Sequence, residues 1–211
     1  MFVSIFAGGL LILCAYLLGS IPTGYLAGLY LKGIDIREYG SGSTGATNVL
    51  RNVGKGAALS VLIVDLLKGV IAVYLIKWAY VYFPNLLPPN GENWLIAIAS
   101  IIAVIGHSKS IWIGFTGGKS AAISLGILLA MTPLVGLGTL AVFLSVLGIS
   151  RIVSLSSVSA AIAVNILMYL INPSLPFLAF TVIAGVYVII RHRTNIQRLI
   201  EGTEPRIGQT V

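Results

Sequence analysis

Charged residues are scarce in this 211-residue chain. Asp, Glu, Lys and Arg together make up 9% of the sequence, whereas soluble domains carry about 25%. Hydrophobic residues make up 57%, and the mean hydropathy is +1.01. This composition excludes an ordinary soluble domain. A spanning helix needs roughly 20 mostly apolar residues, so we expect one multi-span all-α membrane domain over residues 1–211.

Cysteine and histidine are also rare. Cys14 is the single cysteine, which excludes an internal disulfide, and its apolar surroundings favour a packing or lipid-facing residue over a nucleophile. Of the two histidines, His107 and His192, neither has an acidic residue four or five positions away, the spacing of a local catalytic His/Asp pair. We expect neither a metal site nor a cofactor.

Basic residues outnumber acidic ones, 13 to 6. They are scattered at the ends of apolar runs and form no solvated patch with interleaved aromatics, which argues against nucleic-acid binding. Membrane orientation and anionic substrates explain the charge better. No Lys or Arg precedes the first apolar run, so that run is interpreted as a retained span and not as a cleaved signal.

Six apolar runs predict the spanning helices. They cover residues 2–31, 57–83, 94–105, 121–149, 153–171 and 175–190. Pro133 lies inside the fourth run, where proline removes a backbone donor and favours a break. Splitting the run there gives about seven transmembrane helices, of which the third and fourth are short.

The loop charges predict the orientation. Short cytoplasmic loops are enriched in Lys and Arg. With seven spans, all of the following lie on one side: Lys32, Arg37, Arg51, Lys55, Lys109, Lys119, Arg151, Arg191, Arg193, Arg198 and Arg206. The N-terminus is then outside and the C-terminus cytoplasmic, and every polar, glycine-rich cluster faces the cytoplasm.

The first such cluster is GSGSTGATNVLR. Its residues 40–45 spell G-x-G-x-x-G, with Asp65 twenty positions later. A dinucleotide fingerprint needs a buried strand before the glycines, and here a membrane span precedes them. What remains is a small-residue loop whose amides favour an anion, followed by a guanidinium. The candidate residues are Gly40, Ser41, Gly42, Ser43, Thr47, Asn48 and Arg51; a merely flexible loop is the alternative.

The second cluster is GHSKSIWIGFTGGKSAAISLG, residues 106–126. Its G-K-S ending is like that of a P-loop, but Ile113 stands where the first glycine is required, which excludes a Walker A motif. Gly117 and Gly118 still allow backbone to approach an oxyanion, and Lys119 supplies charge at a helix start. The alternative is a lysine that only marks the membrane boundary.

Two weaker clusters and one charge pair complete the pattern. Ser154 follows Arg151 at the start of a span, where serine is also an ordinary helix cap. His192 and Asn195 begin a basic amphipathic tail that is also typical of an interfacial anchor. Asp65 and Lys68 lie three residues apart inside a span, so we interpret them as a structural ion pair.

Together these residues resemble the bacterial acyl-phosphate:glycerol-3-phosphate acyltransferases, the PlsY family. The matching motifs are GSIPTGY, GSGSTGATNVLR, DLLKG, GH followed by GFTGGK, R-x-x-S-L-x-S and RHR-x-NI-x-RL-x-x-G-x-E, which run in order from Gly19 to Glu204. Three positions depart from the family pattern. Ser43 replaces the usual Asn, Ser120 the glycine after the lysine, and Thr194 an often-found Glu.

The resemblance implies an enzyme of the bacterial cytoplasmic membrane that moves a fatty acyl group from acyl phosphate to the 1-hydroxyl of glycerol 3-phosphate. The products would be lysophosphatidic acid and inorganic phosphate, in the first step of phospholipid synthesis. Catalytic roles would fall to Ser41, Arg51, Lys119, Ser154, His192 and Asn195, and substrate binding would also involve His107 and the loop residues named above. An enzyme that forms acyl phosphate would act upstream, and we expect a monomer.

The chemistry favours direct attack without a covalent acyl-enzyme, because a mixed anhydride is already activated. The leaving phosphate would accept the proton, since its second pKa of about 6 suits a base at neutral pH. An anion transporter is the alternative from another class. Against it, the polar groups cluster on one face and no inverted repeat is evident. A purely structural membrane protein would leave the anion-binding loops unexplained.

Overall fold

The computed structural model describes residues 2–209, which form ten α-helices and no strand. The helices are α1 (Phe2–Ser20), α2 (Thr23–Lys32), α3 (Ala46–Asn52), α4 (Lys55–Tyr82), α5 (Glu92–Ser108), α6 (Ala121–Met131), α7 (Pro133–Ser150), α8 (Val153–Ile171), α9 (Leu175–Arg191) and α10 (Arg193–Ile200). The prediction of an all-α fold is confirmed.

Each predicted apolar run forms a helix or a pair of helices. By length and composition, four segments of the described chain can cross a membrane: Phe2–Lys32, α4, α7 and α8. A fifth is obtained if α9 and α10, which meet at an angle of 59°, count as one broken span. α5 and α6 are apolar but shorter. Thr132 separates α6 from α7, and Pro133 occupies the first turn of α7, where its missing N–H has no helical partner to lose. The total of seven crossings stays a prediction.

The first apolar run contains a break that the hydropathy did not predict. Pro22 separates α1 from α2, and the ammonium group of Lys68 donates to the Ile21 carbonyl at 2.7 Å. The Asp65 carboxylate lies 2.7 Å from the same ammonium and accepts a 2.6 Å hydrogen bond from Thr23. Asp65 and Lys68 are 1% and 2% exposed. The buried pair therefore joins α4 to the α1–α2 break.

Glycines set the close contact between α4 and α6. A Cβ atom on Gly126 would lie 2.0 Å from the Leu66 carbonyl oxygen, and one on Gly69 would lie 2.3 Å from the Ile123 carbonyl oxygen. Neither position has room for a side chain, so the two backbones touch. This contact fixes the start of α6, and with it Lys119, relative to the middle of α4.

The polar loops meet at one end of the helix bundle. Backbone and guanidinium hydrogen bonds connect the first loop to the α5–α6 loop, the α5–α6 loop to the end of α9, and the α7–α8 turn to the C-terminal segment. The donor–acceptor pairs are Arg37 with Ile113 O at 2.9 Å, Arg191 with Gly118 O at 3.2 Å, and Ile207 N with Arg151 O at 2.8 Å. Segments that are far apart in sequence thus surround one region.

Candidate functional site

A cleft of about 390 Å³ lies where these loops meet. One end is polar and receives side chains from all four sequence clusters. The predicted site residues that line the cleft are Ser41, Ser43, Thr47, Asn48, Arg51, Asp65, His107, Lys119, Ser154, His192 and Asn195. The other end runs between α4, α6, α7, α8 and α9 and is lined mainly by leucine and alanine, with valine and phenylalanine. A charged mouth is therefore continuous with an apolar interior.

The predicted glycines lie beside this cleft and do not line it. Gly42 and Gly117 line an adjacent cavity, whereas Gly40 and Gly118 line neither. A Cβ on Gly118 would lie 2.1 Å from Nε2 of His107, so glycine there lets the loop pass the imidazole ring. Gly40 has φ +57°, which is a left-handed conformation that glycine adopts without strain. These glycines shape the loops.

Asn48 organises the first loop from within. Its Nδ2 lies 2.9–3.1 Å from the carbonyl oxygens of Ile36, Tyr39 and Ser43, and its Oδ1 accepts from the backbone N–H of Ser41 at 3.1 Å. The side chain is buried. The amide of Asn48 is thus occupied by the loop, and the hydroxyl of Ser41 is exposed where the cleft and the adjacent cavity meet.

Arg51 is the least restrained of the cleft cations. It lies in the last turn of α3 and is exposed, and within residues 2–209 its guanidinium makes one hydrogen bond, a 3.4 Å contact to the Pro205 carbonyl. A guanidinium can grip two oxygens of a phosphate at once. The donors of Arg51 are therefore free to bind an anion in the cleft.

Lys119 is held more firmly. Its ammonium group donates to Oδ1 of Asn195. Burial lowers the pKa of Lys119 to about 8; Glu204 opposes this shift, and the nearby arginines add to it. Lys119 precedes α6, whose N-terminal turn also favours negative charge. The site thus contains a lysine that is charged at neutral pH and whose charge is easily lost above it.

Glu204 is a site residue for which the sequence predicted no role; it appeared there only as the last residue of a matching motif. Its Oε1 accepts from Ser154 at 2.7 Å and from Asn195 at 2.6 Å, and its Oε2 accepts from Arg198 at 2.7 Å. Burial alone would raise the pKa of this carboxyl, but the three hydrogen bonds hold it below its ordinary value. Glu204 therefore links Ser154, Asn195 and, through Asn195, Lys119.

His192 follows α9, and its protonated nitrogen can be assigned from its neighbour. Nδ1 lies 2.8 Å from the Val188 carbonyl oxygen. A carbonyl only accepts, so Nδ1 carries the hydrogen and Nε2 is left as an acceptor. The other histidine, His107, has Nδ1 3.7 Å from Asp65, beyond hydrogen-bond distance. The fold therefore brings an acid near His107 that the local spacing did not reveal.

Ser120, which departs from the glycine expected after the lysine, adopts a conformation that glycine takes without strain. It has φ +65°, a left-handed conformation at the start of α6. Its buried hydroxyl donates to the Val104 carbonyl at 2.9 Å. A serine is strained there, but this hydrogen bond offsets part of the cost. The backbone path needed at Lys119 is therefore kept.

The adjacent cavity, of about 410 Å³, is also basic. It shares Ser41, Ser43 and Lys119 with the cleft and is lined in addition by Lys109, Arg191 and Arg193. Nε of Arg191 is buried and has no hydrogen-bond partner within residues 2–209. An unpaired buried donor favours a ligand oxygen. Two neighbouring anions can thus be bound on either side of Lys119.

Comparisons with known proteins agree on one family. Residues 9–202 match the family model described as Glycerol-3-phosphate acyltransferase. Curated relatives with that description include one from Crocosphaera subtropica, 60% identical over 95% of this chain and 94% of the relative, and one from Rippkaea orientalis, 59% identical over 95% and 93%.

Two crystal structures also match, each covering 96% of both chains at 35% identity. Both are of PlsY (YgiH), described as an integral membrane glycerol 3-phosphate acyltransferase. Its glycerol 3-phosphate form gives a TM-score of 0.86 and its lysophosphatidic acid form 0.83.

Proposed function

Because the chain belongs to the glycerol-3-phosphate acyltransferase family, we propose that it transfers a fatty acyl group from an acyl phosphate to the 1-hydroxyl of sn-glycerol 3-phosphate. The products are lysophosphatidic acid and inorganic phosphate, in the first step of phospholipid synthesis. The proposed location is the bacterial cytoplasmic membrane, with the cleft facing the cytoplasm, where an upstream enzyme supplies acyl phosphate. The distribution of basic loop residues supports this orientation.

The observation that carries the choice of donor is the two-part cleft. Arg51 and Lys119 line its mouth, and leucine and phenylalanine side chains line its interior. An acyl phosphate has the same two parts, an anionic head and a long apolar tail. The head pairs with the two cations while the tail enters between the helices. A bulky nucleotide-containing donor would need further room and polar contacts outside this cleft.

The adjacent basic cavity suits the second substrate. Glycerol 3-phosphate is small and fully polar, so it belongs in the cavity lined by Lys109, Arg191 and Arg193. Lys119 and Ser41 line both spaces and are therefore suited to hold the two phosphates close together. Without cations between them the two anions would repel. The main contributions of the site to catalysis are thus the positioning of the two substrates and the neutralisation of their charges.

The acceptor hydroxyl attacks the acyl carbonyl carbon directly. As the new ester C–O bond forms, the bond between the carbonyl carbon and the phosphate oxygen breaks, and the hydroxyl proton passes to the leaving phosphate. The unprotonated Nε2 of His192 accepts a hydrogen bond from the neighbouring 2-hydroxyl of glycerol 3-phosphate and so orients the acceptor, which leaves the proton of the 1-hydroxyl for the phosphate. Ser154 donates its hydroxyl hydrogen to Glu204 and holds that carboxylate in place. Asn195 gives one amide hydrogen to Glu204 and keeps the second for the phosphate or the developing oxyanion.

A covalent intermediate is not needed in this scheme. Cys14 is exposed on α1 and does not line the cleft. Replacing it with alanine is expected to leave the rate unchanged. A large loss of activity in Cys14→Ala would instead support covalent catalysis and contradict direct attack.

The experiment is a reconstituted assay with purified protein in lipid vesicles. Glycerol 3-phosphate is offered with acyl phosphate, acyl-CoA or the acyl thioester of acyl carrier protein as the donor. Phosphate and lysophosphatidic acid are measured in parallel. We expect one phosphate released for each lysophosphatidic acid formed, with acyl phosphate only. Product from a thioester donor, or enzyme-dependent phosphate release without lysophosphatidic acid, would refute the proposed reaction.

A further inference from the structure

The apolar part of the cleft has a definite depth. Its lining residues begin at the polar mouth on each helix and stop at similar levels: Leu129 on α6, nine residues beyond Ser120; Val164 on α8, ten beyond Ser154; and Phe180 on α9, twelve before His192. At about 1.5 Å per residue these separations are roughly 14, 15 and 18 Å. The depths from the three helices therefore agree to within about 4 Å.

Below that level the helices are packed against one another. Val135 and Met168 are fully buried in the core and do not line the cavity. A Cβ on Gly136 would lie 2.8 Å from the backbone nitrogen of Leu129, so α6 and α7 touch directly beneath the last lining residues. Phe180, 1% exposed, is the largest side chain at the bottom. The cavity is closed there and does not continue through the bundle.

We infer that this closed end limits the length of the acyl chain and that Phe180 is the residue that sets the limit. The inference rests on the proposed function. An extended hydrocarbon chain built from bonds of about 1.5 Å advances roughly 1.25 Å per carbon. A depth of about 14 to 18 Å then accommodates about 11 to 14 carbons in extended form. Longer chains must bend, leave the side of the cleft past Leu144, which is 53% exposed, or displace the phenyl ring.

Fit decides the preference, because the acyl chain arrives from a bilayer that is as apolar as the cavity. Moving a methylene from lipid to protein brings little hydrophobic gain, so packing determines which chains bind well. A chain that stops short leaves a void at the bottom, and one that is too long meets Phe180. The wild-type enzyme should therefore use chains of about 12 to 14 carbons better than those of 18.

Two substitutions should change the depth of the apolar cavity in opposite directions. Phe180→Ala removes a ring that extends about 5 Å, so the preferred length should rise by about four carbons. Ala184→Leu fills the cavity one helical turn nearer the mouth and should lower the preferred length by a similar amount. Ile183→Ala is the control, because Ile183 lies on the same helix but is 48% exposed on the outer surface.

The test is a competition assay. Each variant receives glycerol 3-phosphate with an equimolar mixture of acyl phosphates of 10 to 18 carbons, and the lysophosphatidic acids are measured by mass spectrometry. Product ratios within one reaction do not depend on the amount of folded enzyme. We expect the distribution to shift toward longer chains in Phe180→Ala and toward shorter ones in Ala184→Leu, at least about fivefold in the ratio of 18- to 12-carbon products for each. Ile183→Ala should match the wild type.

Unchanged product ratios in the cavity variants would overturn the inference while leaving the proposed reaction intact. If Phe180→Ala fails to fold, an unchanged ratio in Ala184→Leu overturns it alone. A folded wild-type protein that forms no lysophosphatidic acid from any acyl phosphate would instead refute the proposed function and the inference with it.

Discussion

Raising the pH above about 8 should weaken substrate capture through a single residue. Burial lowers the pKa of Lys119 to about 8, so its ammonium group is charged below that pH and neutral above it. In the free enzyme, charged lysine outnumbers neutral lysine about tenfold at pH 7, and the ratio is reversed at pH 9. Because both phosphates depend on this charge, kcat/KM for glycerol 3-phosphate should fall roughly tenfold from pH 7 to pH 9.

The turnover number should respond differently from kcat/KM. Bound phosphates add negative charge beside Lys119, which favours the ammonium form and raises its pKa in the complex. The alkaline decline of kcat should therefore begin at higher pH than that of kcat/KM. On the acid side, the leaving phosphate becomes a poorer base once the pH falls below about 6, so kcat should decline there as well.

The assay is a pH series in lipid vesicles at constant ionic strength, with lysophosphatidic acid as the readout and thermal unfolding measured at each pH. Glu204→Gln removes the carboxylate that keeps the pKa of Lys119 from falling further, so the alkaline midpoint should move to lower pH. Lys119→Arg keeps its charge throughout this range, and its residual activity should show no alkaline decline. The same midpoint in the wild type and both variants would refute the assignment to Lys119.

Three further changes test other parts of the site. Arg51→Ala should reduce kcat/KM by about 100-fold or more, because it removes a cation from the anion site; a near-normal rate of phosphate release would contradict this role. Gly126→Ala should lower the unfolding temperature and the activity, because the new methyl group would meet the Leu66 carbonyl, whereas Gly148→Ala, which has open space, should change neither. Ser120→Gly relieves the strain of a left-handed serine but removes its hydrogen bond to Val104. Because the two effects are each about 1 kcal/mol, the unfolding temperature and the kinetics should stay close to those of the wild type. A large loss of stability would show that the hydrogen bond dominates.

Hydropathy and charge predicted the general plan because both act locally along the chain. Apolar runs predicted the helices, Pro133 predicted the break before α7, and a spacing of three residues put Asp65 and Lys68 on one helix face. The same patterns could not show that Lys68 donates to the Ile21 carbonyl beside Pro22. That contact joins segments 47 residues apart, and no periodicity encodes it.

The sequence by itself determined the class of protein, the basic loops and the residues able to hold a phosphate, because these follow from composition and residue chemistry. Only the tertiary structure decided how those residues are arranged. In the sequence Glu204 is one more charged residue in a hydrophilic tail, yet the fold buries it against Ser154, fifty residues away. In the sequence Phe180 is one more apolar residue of a span, yet in the fold it is buried deep in the cleft, about twelve residues from the polar mouth. Burial and cavity shape depend on which helices meet, and only the packed chain settles that.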